Sequence, residues 1–418
     1  MTHVAKTESN ILQLDAFGYA AEKEINGAPR IQVSVVLASL LLLIAGALYL
    51  GQVVTISQAF IYLISGVLGL GLYHAHYGFT SSFRRFLVHG RGVGLRAQMV
   101  MFLITNLLFL PLLIQGHALG HTITGYVSPV GLSVLIGSFL FGIGMQLGDG
   151  CASGSLYHTG GGDFRGILAI AGFVIGSVLG TINFTWWMAT PHFQPVSFLH
   201  TFGIVGGFAF NLLLMAVVFV VTWFVEKARR GQVESFTKVA GGFSFSKVWR
   251  GPWSWIAGSV LLAFGNAAIL LLSGKPWGVT SAFALWGAKL AQPIGIPVTH
   301  WGYWTTPANA AALKAPLSHD VTTVMDVGIV IGSLLAAGLA GKFPRRYFHA
   351  IPLKMAIGVL IGGVCMGYGA RIAFGCNIGA FFSGIASFSL HGWEWFLGAL
   401  IGSAVGIVIR PYIGLSKE

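Results

Sequence analysis

Apolar stretches of about 20 residues, the length that crosses a hydrocarbon core, recur along nearly the whole chain. They fall near 31–54, 57–75, 95–115, 129–147, 164–187, 198–225, 253–273, 321–341, 350–370 and 392–411. The pattern predicts ten transmembrane helices. Four further stretches, 78–88, 150–160, 278–290 and 375–390, are too short or too glycine-broken to span, yet too apolar for exposed loops. Unpaired backbone in lipid costs several kcal/mol per group, so re-entrant segments buried in protein are the expected solution. The alternative is four glycine-rich turns outside the membrane.

Two motifs are duplicated. Gly142-x-Gly144 followed by Gly150-Cys151-x-x-Gly154 returns as Gly367-x-Gly369 followed by Gly375-Cys376-x-x-Gly379, each position 225 residues later. Gly78-Phe79-Thr80-Ser81-Ser82-Phe83 returns as Gly278-Val279-Thr280-Ser281-Ala282-Phe283. The first motif follows spans four and nine, the second spans two and seven. Each half therefore holds five spans, and an odd number places the second half upside down relative to the first. The expected organisation is a cytoplasmic tail over 1–30, a first five-helix repeat over 31–195 and a second, inverted one over 196–418. The fold class is an all-α polytopic membrane protein shaped as an hourglass. A glycine ladder, Gly172/Gly176/Gly180 against Gly398/Gly402/Gly406, reads as close helix packing.

Composition excludes a soluble domain: 55% of the 418 residues are hydrophobic and 9% charged, against about 25% charged in soluble proteins. The formal charge of +12 does not indicate nucleic acid, because the basic residues sit in clusters between spans. Arg84, Arg85, Arg91 and Arg96 follow span two. Lys227, Arg229, Arg230, Lys238, Lys247 and Arg250 fill the loop 226–252, and Lys342, Arg345, Arg346 and Lys354 follow span eight. By the positive-inside rule both termini are cytoplasmic. Segments 78–88 and 150–160 then enter from the cytoplasm, 278–290 and 375–390 from outside.

A broken helix presents free backbone N–H groups and a positive dipole end, which attract anions without a buried cation. Thr80, Ser81, Thr280 and Ser281 add hydroxyls at equivalent places, and Cys151 and Cys376 add thiols beside Gly150, Gly154, Gly375 and Gly379. Thiols are weak donors that suit a soft, sulfur-bearing solute, and passage needs weak sites rather than one deep well. A single membrane cysteine usually behaves as a small hydrophobe; Cys365, opposite Leu140, is read so. Two thiols in distant halves fall short of a four-ligand metal site, and no cofactor is expected. Asp149, opposite Phe374, either tunes the thiol and solute passage or is a wet surface acid. Arg371, opposite Gln146, either gathers anions in an outer vestibule or snorkels to headgroups. Trp277 and Trp393 read as interfacial belt residues, and His74 and His76 as interfacial caps. No nucleotide-binding loop and no Ser/His/Asp constellation occurs, which disfavours a pump or a hydrolase.

The stretch from Gly369 through Ala370-Arg371-Ile372-Ala373-Phe374-Gly375-Cys376-Asn377 to Phe388-Ser389-Leu390-His391 resembles the YeeE/YedE family of bacterial inner-membrane proteins. So do Gly148-Asp149-Gly150-Cys151 and Phe79 to Arg84, and the resemblance extends over about residues 55 to 410. Within the family it is the longer YedE-like branch that the chain is similar to. The resemblance implies an hourglass with re-entrant segments, and uptake of thiosulfate or related inorganic sulfur. For YedE-like members it implies selenium compounds, and it implies a TusA-like sulfurtransferase beside the transporter in the cytoplasm. The family's two Gly-Cys cysteines carry over to Cys151 and Cys376. Many members place another cysteine just before Phe-Thr-Ser, where this chain has Gly78, so a relay of three thiols is incomplete. Three functions follow: an importer of a small sulfur-containing anion in the lipid bilayer, a membrane thiol enzyme in which Cys151 takes a persulfide, and a scaffold for a sulfurtransferase.

Overall fold

The computed structural model describes residues 30–237, 242, 244–344 and 351–417. Most of the expected tail, and Lys238, Arg345 and Arg346 of the basic clusters, lie outside the described residues. The helices in chain order are α1 (Val33–Val53), α2 (Ile56–His74), α3 (Phe79–His89), α4 (Val93–Gln115), α5 (Leu132–Leu147) and α6 (Ala152–Gly161). Next come α7 (Phe164–Ile182), α8 (Phe184–Met188), α9 (Phe198–Arg230), α10 (Phe245–Arg250), α11 (Trp255–Ser273) and α12 (Thr280–Ala291). The last are α13 (Pro307–Lys314), α14 (Val321–Ala340), α15 (Leu353–Ile372), α16 (Asn377–Ala386) and α17 (Leu390–Ile409). Two pairs of two-residue strands join loops.

Among the described residues ten stretches are helical, long and apolar enough to cross a membrane. They begin at α1, α2, α4, α5, α7, α9, α11, α14, α15 and α17. The chain is an all-α polytopic membrane protein. Local chemistry sets several ends. Thr55, Ser254 and Asp320 accept backbone N–H groups of the first turns of α2, α11 and α14, the usual way to satisfy orphan donors. The expected fifth span, 164–187, stops earlier, at Ile182, and a separate short helix follows. Span six is broken near its start, at Gly203. Outermost are α1 and α9, where large apolar side chains such as Leu41 and Val205 stay exposed, as contact with lipid requires.

The glycine ladders explain how the halves join. Helix α7 packs on α15, and α17 packs on α5. A Cβ at Gly172 would lie 2.2 Å from the Leu360 carbonyl, and one at Gly398 would lie 3.0 Å from the Leu135 carbonyl. The next rung repeats the pair: Gly176 against the Val364 carbonyl at 2.1 Å, Gly402 against the Phe139 carbonyl at 2.0 Å. The third sets Gly180 against Arg371 and Gly406 against Gln146. Each partner in one half is the duplicate, 225 positions away, of the partner in the other. Helices α5 and α15 meet face to face at the centre, where Gly137 meets Gly369 and Gly144 meets Gly362. The packing is reciprocal, and small residues let the backbones approach.

Three expectations about polar and aromatic residues are corrected. Trp277 is fully buried and Trp393 is 7% exposed; the Trp393 indole N–H donates to Asn211 at 2.9 Å. Neither belongs to an interfacial belt, because chain folds over both. His74 is buried beneath the loop before α11 and its carbonyl accepts the Trp253 N–H, so it is no surface cap. Arg96 is not a loop charge: it sits in the first turn of α4, buried, and pairs with the buried Glu226 at 2.5 Å.

Candidate anion pathway

The two cysteines follow the same kind of chain break but start their helices differently. Cys151 accepts a bond from the first turn of an α-helix, whereas Cys376 precedes a π-helical turn and caps nothing. Helix α5 ends at Leu147 and α15 at Ile372, and in each case the chain then turns through a non-glycine residue in the left-handed region. These are Asp149 (φ 54°) and Phe374 (φ 57°), duplicate positions of the repeat. That conformation costs an L-residue about 1–2 kcal/mol, and strain of this kind concentrates at functional sites. Cys151 and Cys376 follow in extended conformation (φ −86° and −116°) and open α6 and α16. Cys151 is 2% exposed and Cys376 fully buried. The Gly154 N–H donates to the Cys151 sulfur at 3.4 Å, and the Ser153 hydroxyl lies at the same distance. A thiol therefore caps the helix where Ser or Asp usually would. Cys365 is partly buried in mid-helix, away from either break.

Helices α3 and α12 are tied to these breaks by a second reciprocal pair. The Gln146 side chain donates to the Thr80 carbonyl at 3.4 Å, and Arg371, its duplicate, donates to the Thr280 carbonyl at 3.2 Å. Arg371 also bonds the Tyr303 hydroxyl and lies over that ring. It is 6% exposed, which rules out snorkelling. The hydroxyls are less alike than the sequence suggests. Thr80 is buried with its hydroxyl unpartnered. Ser81 turns back to the Gly78 carbonyl at 3.1 Å, whereas Ser281 donates to Thr322 at 2.9 Å.

The cavities beside the two breaks differ in size. On the second-repeat side a cavity of about 680 Å³ is lined by Gly278, Thr280, Ser281, Tyr303, Arg371 and Gly379, among others. Tyr126 roofs the break there, its hydroxyl donating to the Phe374 carbonyl and its ring standing against Gly379. On the first-repeat side Gly148, Asp149 and Gly150 border a gap of only about 10 Å³. Asp149 is no wet surface acid. It pairs with Arg84 at 3.0 Å, Arg165 at 3.3 Å and Arg410 at 3.0 Å, drawing together α3, α7 and the end of α17. Burial opposes the charge of neighbouring Asp163, but bonds from His158 and Arg165 outweigh it and hold that carboxyl below the usual range.

Sequence reasoning missed the arginines around Asp149, the roof residues Tyr126 and Tyr303, and two buried polar side chains. Both amide atoms of Asn377, next to Cys376, are buried and unpartnered, as are both carboxylate oxygens of Asp326 in α14. The signal for Asp326 was available, since an acid in the middle of an apolar span is visible in the sequence. Among the described residues no group of three or more His, Cys, Asp or Glu side chains is placed to hold a metal. What the arrangement offers chemically is weak donors, helix N-termini and one cation beside the larger cavity.

A sequence profile of a family described as sulphur transport matches residues 74–405. The chain is 37% identical over 136 residues to the probable transporter YedE of Escherichia coli, a match covering 32% of each chain. It thus spans about a third of that relative's length. It is 28% identical over 272 residues to the thiosulfate transporter TsuA of Spirochaeta thermophila, covering 62% of this chain and 72% of the other. To TsuA of Escherichia coli it is 27% identical over 283 residues, covering 64% and 70%.

Proposed function

The chain belongs to the sulphur transport family, and on that footing we propose that it imports a small inorganic sulfur-containing anion, thiosulfate foremost, across the bacterial inner membrane. The observation that carries this reading is the matched pair of buried cysteines, each opening a helix at the same strained break. In this account the halves are inverted about an axis in the membrane plane, both termini are cytoplasmic, and α3, α6, α12 and α16 are re-entrant. The large cavity faces outside, where Arg371 gathers the anion. The solute then sheds water at the neck, and the thiols of Cys376 and Cys151 successively replace part of that hydration. Gly150, Gly154, Gly375 and Gly379 keep side chains away from the path, while Thr80, Ser81, Thr280 and Ser281 edge it. The Asp149 cluster closes the inner end. A TusA-like sulfurtransferase is the proposed recipient in the cytoplasm.

The test is growth of a bacterium lacking its sulfate and thiosulfate importers, with and without this gene, on thiosulfate or sulfite as the sulfur source, with uptake of labelled selenite measured beside it. Thiosulfate-dependent rescue supports the reading. Rescue confined to another species reassigns the substrate, and a covalent persulfide accumulating on Cys151 would favour a thiol enzyme.

A further inference from the structure

Seven carboxylic side chains fall among the described residues, and six of them have a donor. Asp149 holds three arginines, Asp163 holds Arg165, Glu226 holds Arg96 and Glu234 holds Arg91. Asp320 caps α14 and Glu394 accepts the Gly131 N–H. Asp326 is the exception. It is fully buried, and neither oxygen has a partner.

Its position is specific. One turn before it Thr322 accepts the Ser281 hydroxyl of α12, and one turn after it the Val330 backbone packs on Gly160 of α6. The acid thus sits on a stripe of α14 between two of the broken helices. Met325, its neighbour, lines the large cavity. The titratable groups around it offer no counter-charge. Its own helix brings Asp320, another acid. Helix α2 brings Tyr62, whose hydroxyl is bonded to Leu42, and His74 at its far end. Helix α6 brings Tyr157 and His158, the latter near Asp163. The Lys289 ammonium of α12 is held by the Leu313 and Ala315 carbonyls. Helix α10 brings Lys247 and Arg250, which border a different cavity with His74. The turn before α14 brings His319, and α1 brings no charge in the membrane-spanning part.

An unpaired carboxylate in such a setting is costly, and acids retained inside membrane spans mark proton relays and ion pathways. An importer of anions has a matching need. A negative-inside membrane opposes anion influx, and each positive charge that moves inward with the solute offsets one unit of that cost. We propose that Asp326 carries that charge as a proton, making the transporter a proton–anion symporter; this rests on the sulfur-anion reading above. The step is proton transfer alone. An O–H bond forms on a carboxylate oxygen at the expense of hydronium from the cavity and breaks to water on the inner side, with no change in electron count.

The test uses the full chain in liposomes with radiolabelled thiosulfate. Wild type should exchange thiosulfate across the membrane, and each unit of inward pH gradient should raise accumulation by about tenfold per coupled proton. Asp326→Asn should lose the response to the gradient, and Asp326→Glu should retain it, which a purely structural role would not predict. Exchange by wild type that ignores the gradient, or an Asn variant that still responds, overturns the proposal. Absence of any wild-type exchange overturns the sulfur-anion reading and this proposal with it.

Discussion

Arg371 donates to the Thr280 carbonyl at 3.2 Å from the position where its duplicate, Gln146, reaches the Thr80 carbonyl at 3.4 Å. One hydrogen bond is thus kept in both halves, and a positive charge is added in only one of them, beside the large cavity. Replacing Arg371 by Gln should therefore keep the tie and remove the charge. A charge-assisted bond exceeds a neutral one by about 1–2 kcal/mol, so half-saturation should rise roughly tenfold with maximal flux little changed. Concentration-dependent uptake in liposomes reads this. An unchanged half-saturation would show that Arg371 serves only to fix Tyr303 and Thr280.

Asp149 holds Arg84, Arg165 and Arg410 at one end of the site. In Asp149→Asn three guanidiniums lose their shared carboxylate, and the closure should loosen. With Cys365 changed to Ala, labelling of Cys151 by a membrane-impermeant maleimide added from the Arg84 side should quicken by about tenfold, a change of little over 1 kcal/mol in the opening equilibrium. Equal rates in parent and variant would contradict the assignment of this cluster as the closed gate.

Because Gly176 and Gly402 make duplicate contacts with facing carbonyls at 2.1 and 2.0 Å, they should tolerate substitution equally badly. Leu at either position should cost about 1–3 kcal/mol or more, the usual range for overpacking. Val205→Leu on the lipid-facing surface of α9, where Val205 is 82% exposed, should be neutral. Thermal unfolding in detergent compares the three. A large loss at one glycine and none at the other would contradict the reciprocal packing.

The inverted arrangement is tested by reporter fusions. One placed after Glu418 and one inside the 274–320 connection should report opposite sides of the membrane, the first cytoplasmic. Both on one side would contradict it.

Much of this architecture is legible in the sequence, because long apolar runs and a repeat at constant spacing need no knowledge of contacts. The breaks at Cys151 and Cys376 show through their duplicated glycines. What the chain does not display is convergence. Arg96 meets Glu226 at a sequence separation of 130, and nothing local to either marks the pair. Asp149 gathers arginines from the middle of α3, the start of α7 and the end of α17, so its neighbours in sequence suggest a surface acid. Trp277 and Trp393 have the placement of belt residues, and only the folding of the chain over them shows that they are core. Asp326 stands out in its apolar run, but its lack of a donor is a property of the packed structure.

The most direct measurement is thiosulfate uptake by liposomes carrying the wild type, Cys151→Ala, Cys376→Ala and the double variant, with Cys365→Ala as control. Loss of one donor in a constriction removes about 1–3 kcal/mol, one to two decades of flux where the neck limits the rate. Each single variant should fall by about that much, the double variant should fall at least as far, and Cys365→Ala should match wild type. Normal uptake by the double variant, at equal protein in the membrane, would contradict a thiol-lined path.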